Sequence, residues 1–128
     1  MSNAFGNIPR SEKSKGFGVI SAFLKRLLHA FARYLPMFPS WRVTIHRLRG
    51  VEIGKNVFIG TEVFIDDADP SLVIIEDEVT IIAQSTILGH TYIPKHFSSF
   101  FEKREKTTIK HGAYLALGTK VLPGVTIG

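Results

Sequence analysis

The sequence predicts a mainly β protein: a parallel β-helix of six-residue repeats, preceded by an amphipathic α-helix. Three observations predict it. Aliphatic residues recur in steps of six through residues 51–128. A small or β-branched residue stands two positions before each of them. Upstream, residues 18–35 space their apolar side chains by three and four, the period of a helix with one apolar face.

The helix comes first in the chain. Residues 1–16 are polar and without period, which predicts a flexible lead-in. From 18 to 35 the stripe is Ile20, Phe23, Leu24, Leu27, Leu28, Phe31, Tyr34 and Leu35, with Pro36 as its stop. Lys25, Arg26, His29 and Arg33 lie off the stripe. Most such stripes face a core, so this one is expected to pack on the body or on a partner subunit. The other reading is a helix lying on a membrane surface. Residues 36–41 carry two prolines and read as a linker. Residues 42–50 alternate arginine with aliphatic residues and read as an irregular first turn of the repeat.

The repeat follows. Ile53, Ile59 and Ile65 are six apart; after four extra residues come Ile75, Ile81 and Ile87; after sixteen more come Ile109, Leu115, Val121 and Ile127. Val51, Val57, Val63, Val73, Val79, Ser85, Thr107, Ala113, Thr119 and Val125 precede them by two. Positions two apart share one face of a strand, so each unit turns both residues inward. Gly, Asn and Asp between units supply turns. Three units close one triangular coil, and stacked coils bury a continuous core. The coils are expected at 53–74, 75–108 and 109–126, with a fourth begun at Ile127. Both insertions leave from the same corner. The longer one, a loop over 93–106, is rich in phenylalanine and in Lys/Arg, and is expected to pack on the flank or a neighbouring subunit.

Composition bounds the function. Among 128 residues there is no cysteine, which excludes disulfides, thiolate metal sites and a cysteine nucleophile. No apolar run is long enough to span a bilayer. Residues 1–50 hold nine Lys/Arg and one acid; residues 51–128 hold seven and ten. A basic arm on a mildly acidic body fits an anionic partner or a solvated face equally. Nucleic-acid binding has no support beyond that charge.

The segments Ile53-Gly54-Lys55-Asn56-Val57-Phe58, Ile59-Gly60-Thr61-Glu62-Val63-Phe64 and Val121-Leu122-Pro123-Gly124-Val125-Thr126-Ile127-Gly128 carry a resemblance. They are similar to the hexapeptide-repeat acyltransferases, whose fold is a left-handed parallel β-helix. Leu88-Gly89-His90 and Gly112-Ala113-Tyr114-Leu115-Ala116 resemble the galactoside and maltose O-acetyltransferase branch. Arg47-Leu48-Arg49-Gly50-Val51-Glu52-Ile53-Gly54 is similar to polysaccharide O-acetyltransferases of the colanic acid and capsule type. The resemblance covers residues 41–128 and implies a cytoplasmic homotrimer with sites between subunits. It implies acetyl-CoA as co-substrate, a sugar or polysaccharide hydroxyl as acceptor, and no metal.

Residue by residue, it implies His90 as the catalytic base. Tyr114, Ala116 and Gly118 would lie along acetyl-CoA, with Tyr114 where the family has Trp and Ala116 where it has Gly. Asp66, Asp67 and His96 would meet the acceptor. The family continues for further coils beyond the point where this chain stops. The alternative expectation is therefore a non-catalytic trimeric scaffold or inactive remnant.

The chemistry is consistent with a histidine. An imidazole, with an ordinary pKa of about 6.5, can take a hydroxyl proton near neutral pH. His96 and His111 are rivals, His96 in the loop and His111 at a turn. A β-helix carbonic anhydrase would need three metal histidines on equivalent corners; His90, His96 and His111 are not so placed.

Overall fold

A turn every six residues leaves room for strands of only two or three. The computed structural model describes residues 12–95 and 99–128. Helix α1 (Glu12–Tyr34) and helix α2 (Pro39–Arg49) open it. Strands β1 (Glu52–Ile53), β2 (Phe58–Ile59) and β3 (Phe64–Ile65) make the first round, and a 3-10 turn at Pro70–Leu72 follows. The second round is β4 (Val73–Ile75), β5 (Thr80–Ile81) and β6 (Thr86–Ile87). A hairpin of β7 (His90–Lys95) and β8 (Ser99–Arg104) leaves from it. The third round is β9 (Thr107–Ile109), β10 (Tyr114–Leu115) and β11 (Lys120–Val121), and β12 (Thr126–Ile127) begins a fourth.

The strands pair in three parallel sheets, visited in rotation. The first has order β1-β4-β9-β12, the second β10-β5-β2 and the third β11-β6-β3. Ile53, Ile75, Ile109 and Ile127 stand in register in the first sheet. Ile59, Ile81 and Leu115 align in the second, and Ile65, Ile87 and Val121 in the third. These are the six-step positions, and all but the end members Ile53 and Ile127 are buried. Each buried isoleucine contributes about 1.5–3 kcal/mol. With two helices and strands this short, the described residues are mixed α/β rather than mainly β.

Corners set the remaining sequence requirements. Asn56, Glu62, Glu78, Gln84, Gly112, Gly118 and Gly124 all adopt positive φ, six apart within each round. A Cβ on Gly60 would lie 2.8 Å from the backbone nitrogen of Ala83 in the next round. Gly54 faces Asp77 in the same way. These glycines exist because backbone passes close beneath them.

The arm departs from expectation at three places. α1 starts at Glu12, earlier than residue 18. Pro39–Arg49 is helix, so Pro39, Ser40 and Trp41 belong to α2 rather than to a linker, and residues 42–49 are not an irregular turn. Their buried members Arg42, Val43, His46 and Arg49 recur at three and four, but three of them are polar, so an apolar period does not show them. Gly50 ends α2 at φ +112, its N–H donating to Arg47 O. Last, the stripe of α1 does not pack on the body. Ile20, Phe23 and Leu24 are exposed, while His29 and Ala32, on the other side, are buried.

The reason lies at the first round's open edge. Strand groups not bonded to the second round must find partners elsewhere. The arm provides them. Ile65 N–H donates to Nε2 of His29 at 3.2 Å, and Glu62 N–H donates to Arg33 O at 2.8 Å. Arg42 donates to Ile59 O at 3.4 Å, and Arg49 to Ile65 O and Asp66 O at 2.7 Å each. Arg47 donates to Ile53 O and Gly54 O. Polar side chains are needed on the inner side of the arm, so the apolar stripe turns outward. Two arginines expected on a basic surface, Arg42 and Arg49, are thus buried against carbonyls.

The expected loop over 93–106 is largely hairpin, with His90 opposite Arg104 and Ile93 opposite Phe101. Both strands of a two-stranded ribbon are edges, which accommodates Pro94. Residues 96–98, and with them His96, lie outside the described residues. No helix among the described residues is long and apolar enough to cross a membrane.

Two outcomes follow from the edge and the corners. Burial, with Arg49 nearby, lowers His29 to about 3 and His46 to about 2. The unfolded chain protonates both near 6.5, so from there down to about 3 it holds more protons than the fold. Stability is therefore full above about pH 6.5 and falls as acid is added, by up to about 1.4 kcal/mol per pH unit for each histidine. Urea midpoints across this range report it, and His46→Gln flattens the slope; a flat wild-type profile contradicts the assignment. Separately, Gly60→Ala lowers stability by about 1–3 kcal/mol, read as a lower urea midpoint at unchanged slope.

Candidate functional site

The third corner of the first and second rounds breaks the six-residue rule. Asp66 stands at the step occupied by Gly54 and Gly60 on the other two sides. Its N–H still bonds the next round, donating to Ile87 O at 2.9 Å as Gly60 N–H does to Ile81 O. A side chain fits there because the corner below it opens into the hairpin. Gly89 lies at that opening, and a Cβ on it would meet Leu72 Cβ at 2.5 Å. So the two insertions press together at one corner. Glu105 N–H donates to Gly89 O at 3.0 Å, and Arg104 pairs with Asp69 at 3.3 Å.

Asp66 organises that corner. It is fully buried. Its Oδ1 accepts N–H bonds from Ala68 at 3.0 Å and Asp69 at 2.9 Å. Its Oδ2 accepts from Gly89 N–H at 2.7 Å, His90 N–H at 2.9 Å and His90 Nδ1 at 2.6 Å. Burial opposes ionisation, but the Asp69 N–H, the His90 ring and the Gly89 N–H outweigh it. They hold the carboxyl below the ordinary carboxylate range. An ionised carboxylate only accepts, so Nδ1 of His90 donates, and in the neutral ring Nε2 carries the lone pair. The His90 side chain is 12% exposed. This is a carboxylate-oriented imidazole, the arrangement of a general base.

The other expected residues divide. Asp66 was expected to meet an acceptor; it instead lies beneath His90 with both oxygens bonded. Asp67 is half-buried beside it and 3.9 Å from Arg26. Asp66, Asp67 and His90 place ligand atoms within 4.8 Å of one another, but a cation there would have to displace the bonds that Asp66 already accepts. Tyr114 lies on the second sheet, 66% exposed. Ala116 and Gly118 follow at the corner between second and third sheets, Ala116 O accepting from Ser85 and Thr119 hydroxyls. His90 lies beyond the third sheet, so these three residues occupy a different corner of the repeat. His111 is at an exposed turn, 3.4 Å from Glu78.

The orienting role of Asp66 is not evident from the repeat alone. The available signal was a carboxylate in a glycine step, one round above the histidine. Nor does the repeat reveal Arg49, whose guanidinium holds Asp66 O from the arm side. A separate open groove of about 540 Å³ is lined by Arg33, Tyr34, Glu62, Phe64, Gln84 and Thr86. It excludes both Asp66 and His90. It has no hydrogen-bonded acid–base pair, so the chemistry favours the corner over the groove.

Replacing Asp66 with asparagine removes the ionised acceptor. Nitrogen-15 spectra of the histidine rings are expected to show His90 as the Nδ1–H tautomer in the wild type and as a mixture in Asp66→Asn. An unchanged spectrum means that Asp66 does not set the tautomer. Comparison of the chain with family models, with curated proteins and with solved structures finds no match to any of them.

Proposed function

We propose that the chain is an acetyl-CoA-dependent O-acetyltransferase acting on a hydroxyl of a sugar or polysaccharide precursor. Its three parallel sheets are read as the faces of a left-handed β-helix, the fold of the acyltransferases that its repeats resemble. One observation carries the reading: a histidine oriented by a buried, ionised carboxylate at the corner where that family keeps its base.

The reaction follows from the pair. Nε2 of His90 takes the proton of the acceptor hydroxyl as its oxygen bonds to the acetyl carbonyl carbon. Asp66 stabilises the imidazolium formed. The carbon–sulfur bond then breaks, the leaving thiolate takes the proton back from Nε2, and the products are an acetyl ester and free coenzyme A. No covalent enzyme intermediate is required, which suits a chain without cysteine. Tyr114, Ala116 and Gly118 are assigned to acetyl-CoA, and Asp67 and His96 to the acceptor. This assignment takes the chain as a homotrimer, in which a site between copies brings separate corners together. Tyr114, Leu117 and Leu122 expose apolar surface for such a contact. We place the reaction in the cytoplasm.

The test is release of free thiol from acetyl-CoA in the presence of sugar acceptors. His90→Ala is expected to lower the rate by on the order of 10²–10⁴-fold with the unfolding midpoint retained. Equal rates would remove His90 from the reaction. If neither form releases thiol nor binds coenzyme by calorimetry, a non-catalytic scaffold replaces this reading.

A further inference from the structure

We infer that the outward face of the N-terminal arm seats on the surface of an anionic lipid bilayer. This surface is independent of the proposed reaction.

The face is defined by how α1 is held. At about 100° per residue, His29 lies opposite Ile20. His29 faces the body, bonded to Ile65, and Ala32 O accepts from Nε of Arg42 at 2.8 Å. The helix is thus anchored by its polar and small residues. Ile20, Phe23, Leu24, Leu27, Phe31 and Tyr34 are left outside, with Phe23 63% exposed. At the start of the next helix Phe38 and Trp41 are exposed too, their rings meeting edge-on with centroids 5.0 Å apart. Leu48 is exposed as well. Soluble surfaces rarely leave so many large apolar side chains contiguous without an occupant.

Charge identifies the occupant. From Lys13 to Val51 the chain has eight Lys/Arg and no acid. Arg42 and Arg49 are buried, but Lys25 and Arg26 are exposed beside the stripe. Arg26 remains 59% exposed although Asp67 is 3.9 Å away. Apolar side chains with basic flanks and no acid match an interface of acyl chains beneath anionic headgroups. Tyr and Trp at the margins suit the headgroup level. The helix is not apolar enough to cross, so it lies in the surface plane. A second copy docked face to face would oppose the same cations without an acid to answer them.

The experiment uses the full chain and sucrose-loaded vesicles, either pure phosphatidylcholine or with about one-quarter phosphatidylglycerol. The chain is expected to partition at least about tenfold more strongly onto the anionic vesicles, and to lose much of that gain when salt rises from ~0.1 to ~0.5 M. Phe23→Glu with Leu27→Glu is expected to lower partitioning by at least about tenfold. Both side chains are exposed, so the unfolding midpoint stays at the wild-type value. Equal binding to the two vesicle types overturns the inference, as does a double variant that still partitions like wild type. Sedimentation equilibrium without lipid is the other arm. An oligomer that the double variant breaks to monomers assigns the face to a second copy and overturns the lipid reading.

Discussion

A corner every six residues is the constraint on which this structure depends. Each round packs directly on the next, so a corner has little room above or below the backbone. Gly54 and Gly60 meet that limit by lacking a Cβ, and Asn56, Glu62, Glu78 and Gln84 meet it with left-handed backbone. The latter cost of order 1 kcal/mol each. At the third corner the rule is suspended, because a 3-10 turn leaves one round and a hairpin leaves the next. The space so released holds the Asp66 carboxylate. The relaxed corner and the polarised histidine are one feature.

The same logic explains the arm. Parallel stacking leaves the first round with strand groups that no neighbour satisfies. A helix with an apolar inner face would cover them and leave them unbonded. This chain sets buried arginines and His29 against them instead. Arg49 links that cap to Asp66 O and to Nδ1 of His46. Burying such groups is costly where a bond is missing, and Nε of Arg33, Nε2 of His46 and Nε of Arg49 are buried without a hydrogen-bond partner among the described residues; His29 adds acid sensitivity, because it accepts a backbone bond only when unprotonated. The outward turn of the apolar stripe follows from the same choice. The requirement at one edge therefore bears on the Asp66–His90 corner, on stability in acid and on the surface offered to other molecules.

Much of this was legible in the chain. The six-step pattern located the inward aliphatic residues of the rounds, and the pairing register of the sheets follows it; Val43 of α2, which joins the same core, lies outside the pattern. Two positions upstream, Val51, Val63, Val73, Val79, Ser85, Thr107 and Ala113 are buried as that pattern requires, whereas Val57 and Thr119 are half-buried and Val125, in the last round, is exposed because no further round covers it. The shared corner of the two insertions, with His90 on it, also followed from counting. Helix α2 did not, because three of its four buried residues are Arg42, His46 and Arg49, and periodicity registers only apolar faces. Charges and Pro94 interrupt the strands of the hairpin, so its sequence reads as a loop.

Periodicity is a property of neighbouring residues, and so the sequence by itself determined the stacking of the rounds, the buried aliphatic positions and the corner that carries His90. What only the tertiary structure decided were partnerships across rounds and between arm and body. Asp66 meets His90 because the corner beneath it opens, and α1 turns its apolar face outward because the edge it covers needs donors and acceptors. Each depends on where unsatisfied backbone groups lie in space, and no local pattern of residues encodes that.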